Sequence, residues 1–179
     1  MPMKLLIASD IHGSALWCRK LLEAYQTVGA DKLILLGDVL YHGPRNDLPD
    51  EYAPKAVIGM LNPLADRILC VRGNCEAEVD GMVLSFPVSA DYGMLWDGTV
   101  TMMFSHGHRE VPKMVPGTVY LTGHTHVPLA EEVDGYIHLN PGSTSIPKEN
   151  SPHSYLLYEN GTFTWMDLET GEAYKRYEI

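Results

Sequence analysis

Five short polar clusters combine Asp, His and Asn with glycine, and each follows a run of apolar residues. They are Asp10-Ile11-His12, Gly37-Asp38, Gly73-Asn74, Ser105-His106-Gly107-His108 and Gly123-His124-Thr125-His126. Side chains at the carboxyl ends of strands in an open α/β sheet meet in one crevice. Asp10 and His12 stand two residues apart, so both can reach one ion, and His124 and His126 repeat that spacing. We therefore predict that the five clusters converge on a single site.

The side chains of these clusters are of the types that bind metal ions. Carboxylate oxygen, amide oxygen and imidazole nitrogen suit Mn²⁺, Zn²⁺, Fe²⁺ or Mg²⁺, and no thiolate is required. One aspartate can bridge two ions, and Asp38 is the central candidate. Two ions ~3.5–4 Å apart can clamp a phosphoryl group for in-line attack. Taken singly, Asp10, Asp38 or Asn74 also fits an ordinary turn after a strand, so only the joint occurrence of the clusters favours a metal site.

The apolar pattern predicts the elements that carry these clusters. Residues 4–8, 32–36 and 67–71 are short apolar runs typical of buried strands. A helical pattern between the first two runs ends at Gly29, and Pro54 can open a second helix. The first half of the chain therefore predicts a βαβαβ unit with a parallel sheet.

The second half of the chain has a different pattern. Asp97-Gly98, Asp134-Gly135 and Asn160-Gly161 each separate two β-prone runs, which is typical of tight hairpins. Helical periodicity is weak after about Leu64. We expect a mixed sheet with helices joined to a second, largely antiparallel sheet, all within a single domain over residues 1–179.

Composition and charge argue against several classes of protein. Apolar residues make up 45% and charged residues 20% of the 179 residues, as in a folded soluble protein. A net charge of −10 argues against binding to nucleic-acid polymers or anionic membranes, although bound cations can reverse the local field. Three cysteines are typical of reduced thiols, and MPMKLLIASD predicts a first strand, not a secretion signal. We expect a cytoplasmic protein without a membrane span.

In their order along nearly the whole chain, the motifs D-x-H, G-D, G-N, G-H and G-H-T-H resemble those of the calcineurin-like metallophosphoesterase superfamily. The segments ASDIHGS, LGDVLYHGPRN, VRGNCEAEVD, GHTHVP and NPGSTSIPK are similar to those of its bacterial YfcE-type phosphodiesterases. The resemblance implies a four-layer α/β/β/α sandwich of two mixed β-sheets flanked by helices. It implies two metal ions per chain, the first bound by Asp10, His12, Asp38 and His126. The second would be bound by Asp38, Asn74, His106 and His124, with Asp38 shared.

The same resemblance implies a phosphodiesterase in which a hydroxide bridging the two ions attacks phosphorus. Asp38, Asn74 and His106 would then lie closest to the chemistry. Mn²⁺ is the first candidate for the ions, and Zn²⁺, Fe²⁺, Mg²⁺ and Ni²⁺ are alternatives. The expected partner is a small phosphodiester, and a homo-oligomer is left open. The alternative functions are a phosphomonoesterase or dinucleoside polyphosphate hydrolase of the same superfamily and, less favoured, a non-catalytic metal-binding scaffold.

One position departs from the pattern of the wider superfamily. Many members carry a histidine after the ligand asparagine, whereas here Cys75 follows Asn74. A thiol with a free pKa of roughly 8.5 is a poor substitute for imidazolium as a general acid. The YfcE-type pattern also has this cysteine, so the change does not indicate an inactive protein. It favours substrates with a good leaving group.

Four further side chains are candidates for contacts with the substrate or with the ligands: Cys75, His108, Arg45 and His42. His108 fits a role in the site and an exposed position equally well. Arg45 can bind a phosphate oxygen through its planar donors or stay solvated. His42 fits a surface loop better than the cleft.

The remaining polar positions are expected to support the fold. His138 and His153 fit structural roles. Asn140-Pro141-Gly142-Ser143 fits a turn packed beneath the site, and a bond from this turn to a metal ligand is the less favoured alternative. Cys70 and Cys75 lack a second pair of thiols, so a structural zinc site is not expected.

Overall fold

The computed structural model describes residues 3–179. Residues 1 and 2, which belong to the predicted N-terminal segment and to the predicted domain, lie outside the described residues. The structure contains eleven strands and three α-helices within the described range. In chain order the elements are β1 (Lys4–Ala8), α1 (Ala15–Val28), β2 (Lys32–Leu35), α2 (Pro54–Leu61), a 3₁₀ helix (Asn62–Arg67), β3 (Ile68–Cys70), α3 (Asp80–Val83), β4 (Tyr92–Trp96), β5 (Thr101–Ser105), β6 (Val119–Leu121), β7 (Leu129–Val133), β8 (Tyr136–Asn140), β9 (Ser154–Glu159), β10 (Thr162–Asp167) and β11 (Ala173–Glu178).

The βαβαβ unit predicted for the first half is confirmed. β1, β2 and β3 pair in parallel in one sheet. α1 follows Ser14, whose side chain accepts a hydrogen bond from the N–H of Trp17, and it ends at Gly29. Gly29 has a left-handed conformation (φ 64°), which glycine adopts without a steric penalty. α2 begins at Pro54, as predicted.

The pairing of the second sheet differs from the expectation. The first sheet has the order β11-β10-β9-β1-β2-β3 and the second the order β4-β5-β6-β8-β7. In the second sheet β5–β6 and β6–β8 are parallel, so the expectation of a largely antiparallel sheet is wrong. Hairpin signals report only strands that are adjacent in sequence, whereas residues 106–118 cross over and bring β6 back parallel to β5.

Two of the predicted hairpins are tight turns of the kind that requires positive φ at both central residues. Asp134 and Gly135 (φ 48° and 86°) join β7 to β8. Asn160 and Gly161 (φ 52° and 76°) join β9 to β10. The turn at Asp97 also joins two antiparallel strands, β4 and β5. The dipeptide signals therefore located all three hairpins.

Alternate residues of the central strands belong to two different cores. Leu5 and Ile7 of β1 pack with Met102, Phe104 and other residues of the second sheet, which places this core between the two sheets. The other face of the first sheet packs against α1 and α2 in a second core, which includes Leu6, Leu33, Trp17, Leu21 and Val57. β1 and β2 are thus buried on both faces, which explains their continuous apolar sequences.

Two mixed sheets packed face to face and flanked by helices confirm the α/β fold class. The helices are distributed unevenly, because residues 84–179 form no α-helix and the helices all come from the chain before β4. The short connections between hairpin strands leave few residues for helices there. No helix within residues 3–179 combines the length and the apolar character needed to cross a bilayer.

Candidate metal centre

All the predicted ligands lie just beyond the carboxyl ends of strands that pair in parallel. Two of them follow β1, one each follows β2, β3 and β5, and two follow β6: Asp10, His12, Asp38, Asn74, His106, His124 and His126. The N–H of His124 donates to Oδ2 of Asp10 (3.1 Å), which ties the loop after β6 to the loop after β1. The strand ends of both sheets therefore open onto one place.

Five of these residues have an unusual backbone conformation. Asp10, His12, Asp38, His124 and His126 all have φ between 48° and 67°, in the left-handed region. A non-glycine residue held there costs of order 1–3 kcal/mol and persists only where the surroundings fix it. Backbone bonds do so here, since the N–H of His12 donates to the carbonyl of Asp38 (2.9 Å) and that of Asp10 to Gly37 (3.2 Å). The chain turns inward at these residues at a cost in stability.

One group of donor atoms comprises Asp10, His12 and His126. Oδ1 of Asp10 lies 3.3 Å from Nε2 of His126 and 3.6 Å from Nε2 of His12, and the two Nε2 atoms are 3.3 Å apart. Donor atoms that share one ion at ~2.1 Å stand roughly 3.0–3.4 Å apart. Oδ1 of Asp10 is buried and has no hydrogen-bond partner. A divalent ion between these atoms would satisfy it, so the donor set fits a metal.

A second group comprises Asp38, Asn74 and His106. Nε2 of His106 lies 3.0 Å from Oδ1 of Asn74 and 3.3 Å from Oδ2 of Asp38. The same carboxylate oxygen of Asp38 is 3.7 Å from Nε2 of His12, which belongs to the first group. The ring of His124 stands beside that of His106, with centroids 5.1 Å apart. Asp38 therefore faces both groups of donors.

Three of the histidines are oriented by backbone carbonyls. The Nδ1–H groups of His12, His106 and His126 donate to the carbonyl oxygens of Tyr41 (2.7 Å), Leu36 (2.7 Å) and Ile146 (2.6 Å), respectively. Each bond fixes the tautomer and leaves the lone pair of Nε2 facing the site. The ring of His124 makes no hydrogen bond to any residue that the structure describes.

The predicted ligands divide into a buried floor and an exposed part. We define the floor as the predicted ligands that are at most 3% exposed: Asp10, His12, Asp38, His106 and His126. Asn74 is exposed and His124 is half-buried. With Cys75, Arg45 and Lys148 they form what we call the rim of a cleft of about 450 Å³ above the floor.

Neighbouring groups on the floor shift the pKa values of Asp10 and His106. Burial alone would raise the pKa of Asp10, but the nearby imidazoles of His12 and His126 outweigh burial, and the pKa lies well below its ordinary value. For His106 burial has the opposite effect and would lower the pKa, but the hydrogen bond to Asp38 and the charge of Asp10 raise the pKa to about 9. In the metal-free protein a proton on His106 thus supplies positive charge that a bound cation would replace.

Comparison with known proteins identifies the family. Residues 3–162 match the calcineurin-like phosphoesterase superfamily domain. The chain belongs to this superfamily. It is 45% identical over 170 residues to Phosphodiesterase YfcE of Escherichia coli strain K12, covering 93% of this chain and 92% of that protein.

Two solved structures show the same fold. A structure of YfcE, described as a phosphoesterase from E. coli, matches with a TM-score of 0.95 and 41% identity, covering 99% of this chain and 100% of that one. Wild-type Vps29 of Entamoeba histolytica in complex with Zn²⁺ matches with a TM-score of 0.62 and 19% identity, covering 98% and 99% of the two chains. At that identity, the second comparison shows the fold alone.

The superfamily position that usually holds histidine is occupied by Cys75, at the edge of the cleft. Its N–H donates to Oδ1 of Asp38 (2.9 Å), so its backbone positions the carboxylate that faces both donor groups. Burial and the negative charge of Asp38 raise the pKa of the Cys75 thiol. The thiol is therefore neutral in the metal-free protein.

The other sequence candidates are placed differently. Arg45 lines the cleft and is exposed. The His108 ring lies 5.4 Å from that of His106 and 6.1 Å from that of His124, next to the donor groups and outside the cleft. His42 lies between the rings of Tyr41 and Tyr52, with centroids 4.8 Å and 5.1 Å away, and does not line the cleft.

The histidines expected to be structural lie away from the donor groups. His138 shares a hydrogen bond with the hydroxyl of Thr122 (2.8 Å), and its ring stacks on that of Tyr120. His153 stacks on Trp17, with ring centroids 3.5 Å apart and an interplanar angle of 10°.

Glu76 is a supporting residue that the sequence pattern did not single out. It is 6% exposed, and its carboxylate accepts hydrogen bonds from the N–H groups of Asp38 (2.9 Å), Val39 (2.7 Å) and Gly73. One side chain thus holds the loops after β2 and β3 together. A Cβ atom at Gly73 would overlap the carboxylate of Asp38, so only glycine allows this approach. The sole sequence signal was an acidic residue two positions after Asn74.

The 140–146 turn braces the floor from below. The hydroxyls of Ser143 and Ser145 both donate to the carbonyl oxygen of Asp10 (3.0 Å each). The side-chain amide of Asn140 donates to the carbonyl of Gly123 (2.8 Å), in the loop that carries His124. The turn therefore bonds to the backbone of the predicted ligand Asp10, as in the less favoured of the two expectations, and its side chains do not reach the donor atoms themselves.

Proposed function

We propose that this calcineurin-like phosphoesterase, one domain over residues 1–179, is a metal-dependent hydrolase of small phosphodiesters. The observation that carries the proposal is the position of Asp38 between the two donor groups. Its Oδ2 lies 3.7 Å from Nε2 of His12 and 3.3 Å from Nε2 of His106. One carboxylate can thus serve two ions. The 45% identity to a phosphodiesterase supports the same class of substrate.

The seven ligands divide between two divalent ions that share Asp38. The first ion has Asp10, His12, Asp38 and His126, and the second has Asp38, Asn74, His106 and His124. Mn²⁺ is our first choice for both ions. This mixture of oxygen and imidazole ligands also accepts Zn²⁺, Fe²⁺, Mg²⁺ or Ni²⁺. When bound, such ions supply a nucleophile from water at neutral pH and neutralise charge on the phosphoryl oxygens.

The residues of the chain contribute orientation more than proton transfer. Carbonyl-anchored rings hold Nε2 of His12, His106 and His126 in place, so the ligand set is formed before the ions bind. Cys75, at the edge of the cleft, carries a thiol, which is a poorer proton donor to a leaving oxygen than an imidazolium. We therefore expect the rate to depend on the leaving group, with aryl esters cleaved faster than alkyl esters.

The decisive experiment compares substrates on protein that was stripped of metal and then reloaded with Mn²⁺. We expect bis(p-nitrophenyl) phosphate to be hydrolysed faster than p-nitrophenyl phosphate, in a panel that also includes cyclic nucleotides. Elemental analysis of the same sample should find two ions per chain. A faster monoester would contradict the substrate class. If protein reloaded in turn with Mn²⁺, Zn²⁺, Fe²⁺, Mg²⁺ and Ni²⁺ hydrolyses no member of the panel, the result would indicate a binding scaffold.

A second experiment tests the route of attack. Because bound divalent ions can supply a nucleophile from water at neutral pH, we expect water to attack phosphorus directly. A single turnover in ¹⁸O-labelled water should place the label in the phosphate product. Trapping of a phosphorylated residue would contradict the proposal.

A further inference from the structure

Two basic side chains face the cleft and have no role in holding the ligands. The residues lining the cleft include one carboxylate, Asp38, and two cations, Arg45 and Lys148. The chain as a whole carries a net charge of −10, so two cations and a single carboxylate make this cleft unlike the rest of the molecule. Lys148 was not singled out by the sequence pattern.

Neither cation has an acidic partner among the described residues, and in this Arg45 differs from most other arginines of the chain. Among residues 3–179, no carboxylate lies within 4.0 Å of the charged groups of Arg45 or Lys148. Four of the other five arginines are ion-paired: Arg19, Arg67, Arg109 and Arg176. The donors of Arg45 and Lys148 are therefore available to an anion that enters the cleft.

The backbone beneath each cation is fixed relative to the site. The N–H of Lys148 donates to the carbonyl of His126 (3.2 Å), and the carbonyl of Lys148 accepts bonds from the N–H and hydroxyl of Ser151. Glu149 and Asn150 have left-handed conformations, which make a tight turn there. Lys148 thus extends from a turn attached to a floor ligand.

Arg45 extends from a different loop, the one that follows β2. The side-chain amide of Asn46 donates to the carbonyl of His42 (2.8 Å) and closes this loop. A Cβ atom at Gly43 would stand 3.1 Å from Sγ of Cys75, so the loop packs directly on the cysteine next to Asn74. Lys148 therefore reaches the cleft from a loop bonded to His126, and Arg45 reaches it from a loop packed on Cys75.

We infer that Arg45 and Lys148 form a subsite for a second phosphate group of the substrate, beyond the phosphodiester that is cleaved. This inference rests on the proposed function. A diester phosphate carries one negative charge, and two divalent ions bound to the carboxylates of Asp10 and Asp38 would still leave a net charge of about +2 to meet it. Two additional cations on the rim have nothing to neutralise in a substrate whose remaining part is uncharged. A phosphomonoester matches them, because its oxygens accept paired bonds from a guanidinium and a further bond from an ammonium group.

The test uses two substrates that share the cleaved bond and the leaving group. One is the p-nitrophenyl ester of thymidine 5′-phosphate, and the other is the same ester with an additional 3′-phosphate. With Mn²⁺-loaded protein, kcat/KM should be roughly tenfold higher for the second substrate, as expected for charge-assisted hydrogen bonds. The ratio should decrease as the salt concentration rises, because the rim is exposed. In the Lys148→Met and Arg45→Gln variants, the ratio of kcat/KM between the two substrates should fall towards one.

The matched control is Lys55→Met, which removes the same charge from the exposed face of α2 outside the cleft. It should leave the ratio at the wild-type value. A ratio near one in the wild-type protein, with the plain ester still hydrolysed, would overturn the subsite and leave the proposed function intact. Equal loss of the ratio in Lys55→Met would also overturn it, since the effect would then be one of net charge.

A binding measurement tests the subsite independently of turnover. Calorimetry on the Mn²⁺-loaded protein should show thymidine 3′,5′-bisphosphate binding roughly tenfold tighter than thymidine 5′-phosphate. Lys148→Met should remove this difference. Equal affinity of the wild-type protein for the two nucleotides would refute the subsite. If both nucleotides bind as expected but no ester is cleaved, the proposed function fails and the subsite stands as a binding site.

Discussion

The floor and the rim of the candidate metal centre both contain a predicted histidine ligand, but the histidines are held in different ways. On the floor, His106 is 1% exposed and its Nδ1–H donates to a backbone carbonyl, so its position is set by the fold. On the rim, His124 is half-buried and its ring has no such bond within the described residues. The comparison indicates that the floor is rigid before metal binds, whereas the rim can adapt to the ion and to the substrate. Changes to the floor should therefore affect stability and metal binding together, and changes to the rim should affect binding or turnover alone.

The largest effect should come from Asp38, the floor residue that we propose is shared by the two ions. Asp38→Ala should lower the turnover of bis(p-nitrophenyl) phosphate by at least about 10³-fold, because a shared ligand supports several kcal/mol of charge stabilisation. Elemental analysis should show fewer than two Mn²⁺ ions per chain. Asp47→Ala, an exposed aspartate of the following loop, is the control. Wild-type turnover in Asp38→Ala would refute the assignment of Asp38 as the shared ligand.

The comparison itself is tested most directly by a pair of histidine variants. His106→Ala and His124→Ala should both lose turnover by about 10²-fold or more, since each removes a ligand. Only His106→Ala should also lower the stability of the metal-free protein, by about 1–3 kcal/mol, because it leaves a buried carbonyl of Leu36 without its donor. Urea unfolding in the presence of a chelator measures this difference. Equal destabilisation by both variants would remove the distinction between floor and rim.

An intermediate effect is expected from the carboxylate that supports the floor without touching a donor atom. Glu76→Gln replaces one accepting oxygen with an amide that faces N–H donors, so the loops after β2 and β3 should separate slightly. We expect a loss of about 10–100-fold in Mn²⁺ affinity, as for other residues that orient ligands, measured by metal titration. Glu78→Gln, an exposed neighbour, is the matched control. Wild-type affinity in Glu76→Gln would show that the loops are held by other contacts.

The smallest effect should come from His42, the sequence candidate that the structure places away from the cleft. Its Nδ1 is buried and has no hydrogen-bond partner, and its ring contacts are with Tyr41 and Tyr52. His42→Phe keeps those ring contacts and should change turnover by less than about twofold. A larger loss of turnover in steady-state assays would mean that His42 reaches the substrate and belongs to the rim.

Much of the site was predictable because its signals are local. Asp10-x-His12 and His124-x-His126 directly follow apolar strands, and the end of a strand is determined by residues that are adjacent in sequence. The first three strands were predictable for the same reason, since a run that is apolar throughout is typical of a strand buried on both faces. The hairpins followed from their dipeptides.

The supporting residues were not predictable, because they depend on contacts between distant segments. Glu76 is 38 residues from Asp38, whose N–H it accepts, and nothing in its neighbourhood distinguishes it from exposed Glu78. Lys148 faces the cleft because its turn bonds to His126. The parallel pairing of β6 was missed for a related reason, since hairpin patterns carry no information on strands joined by a long crossover.

The sequence by itself determined the donor types of the metal centre and the strand ends that carry them, because ligand chemistry and apolar runs are properties of short segments. The tertiary structure alone decided which donors are buried, which carbonyls orient the histidines, and which cations reach the cleft. Those properties arise when two sheets pack face to face and bring distant loops together. Asp38 shows both contributions: its motif predicts a ligand, and the packing of β1, β2 and β5 places it between two groups of donors.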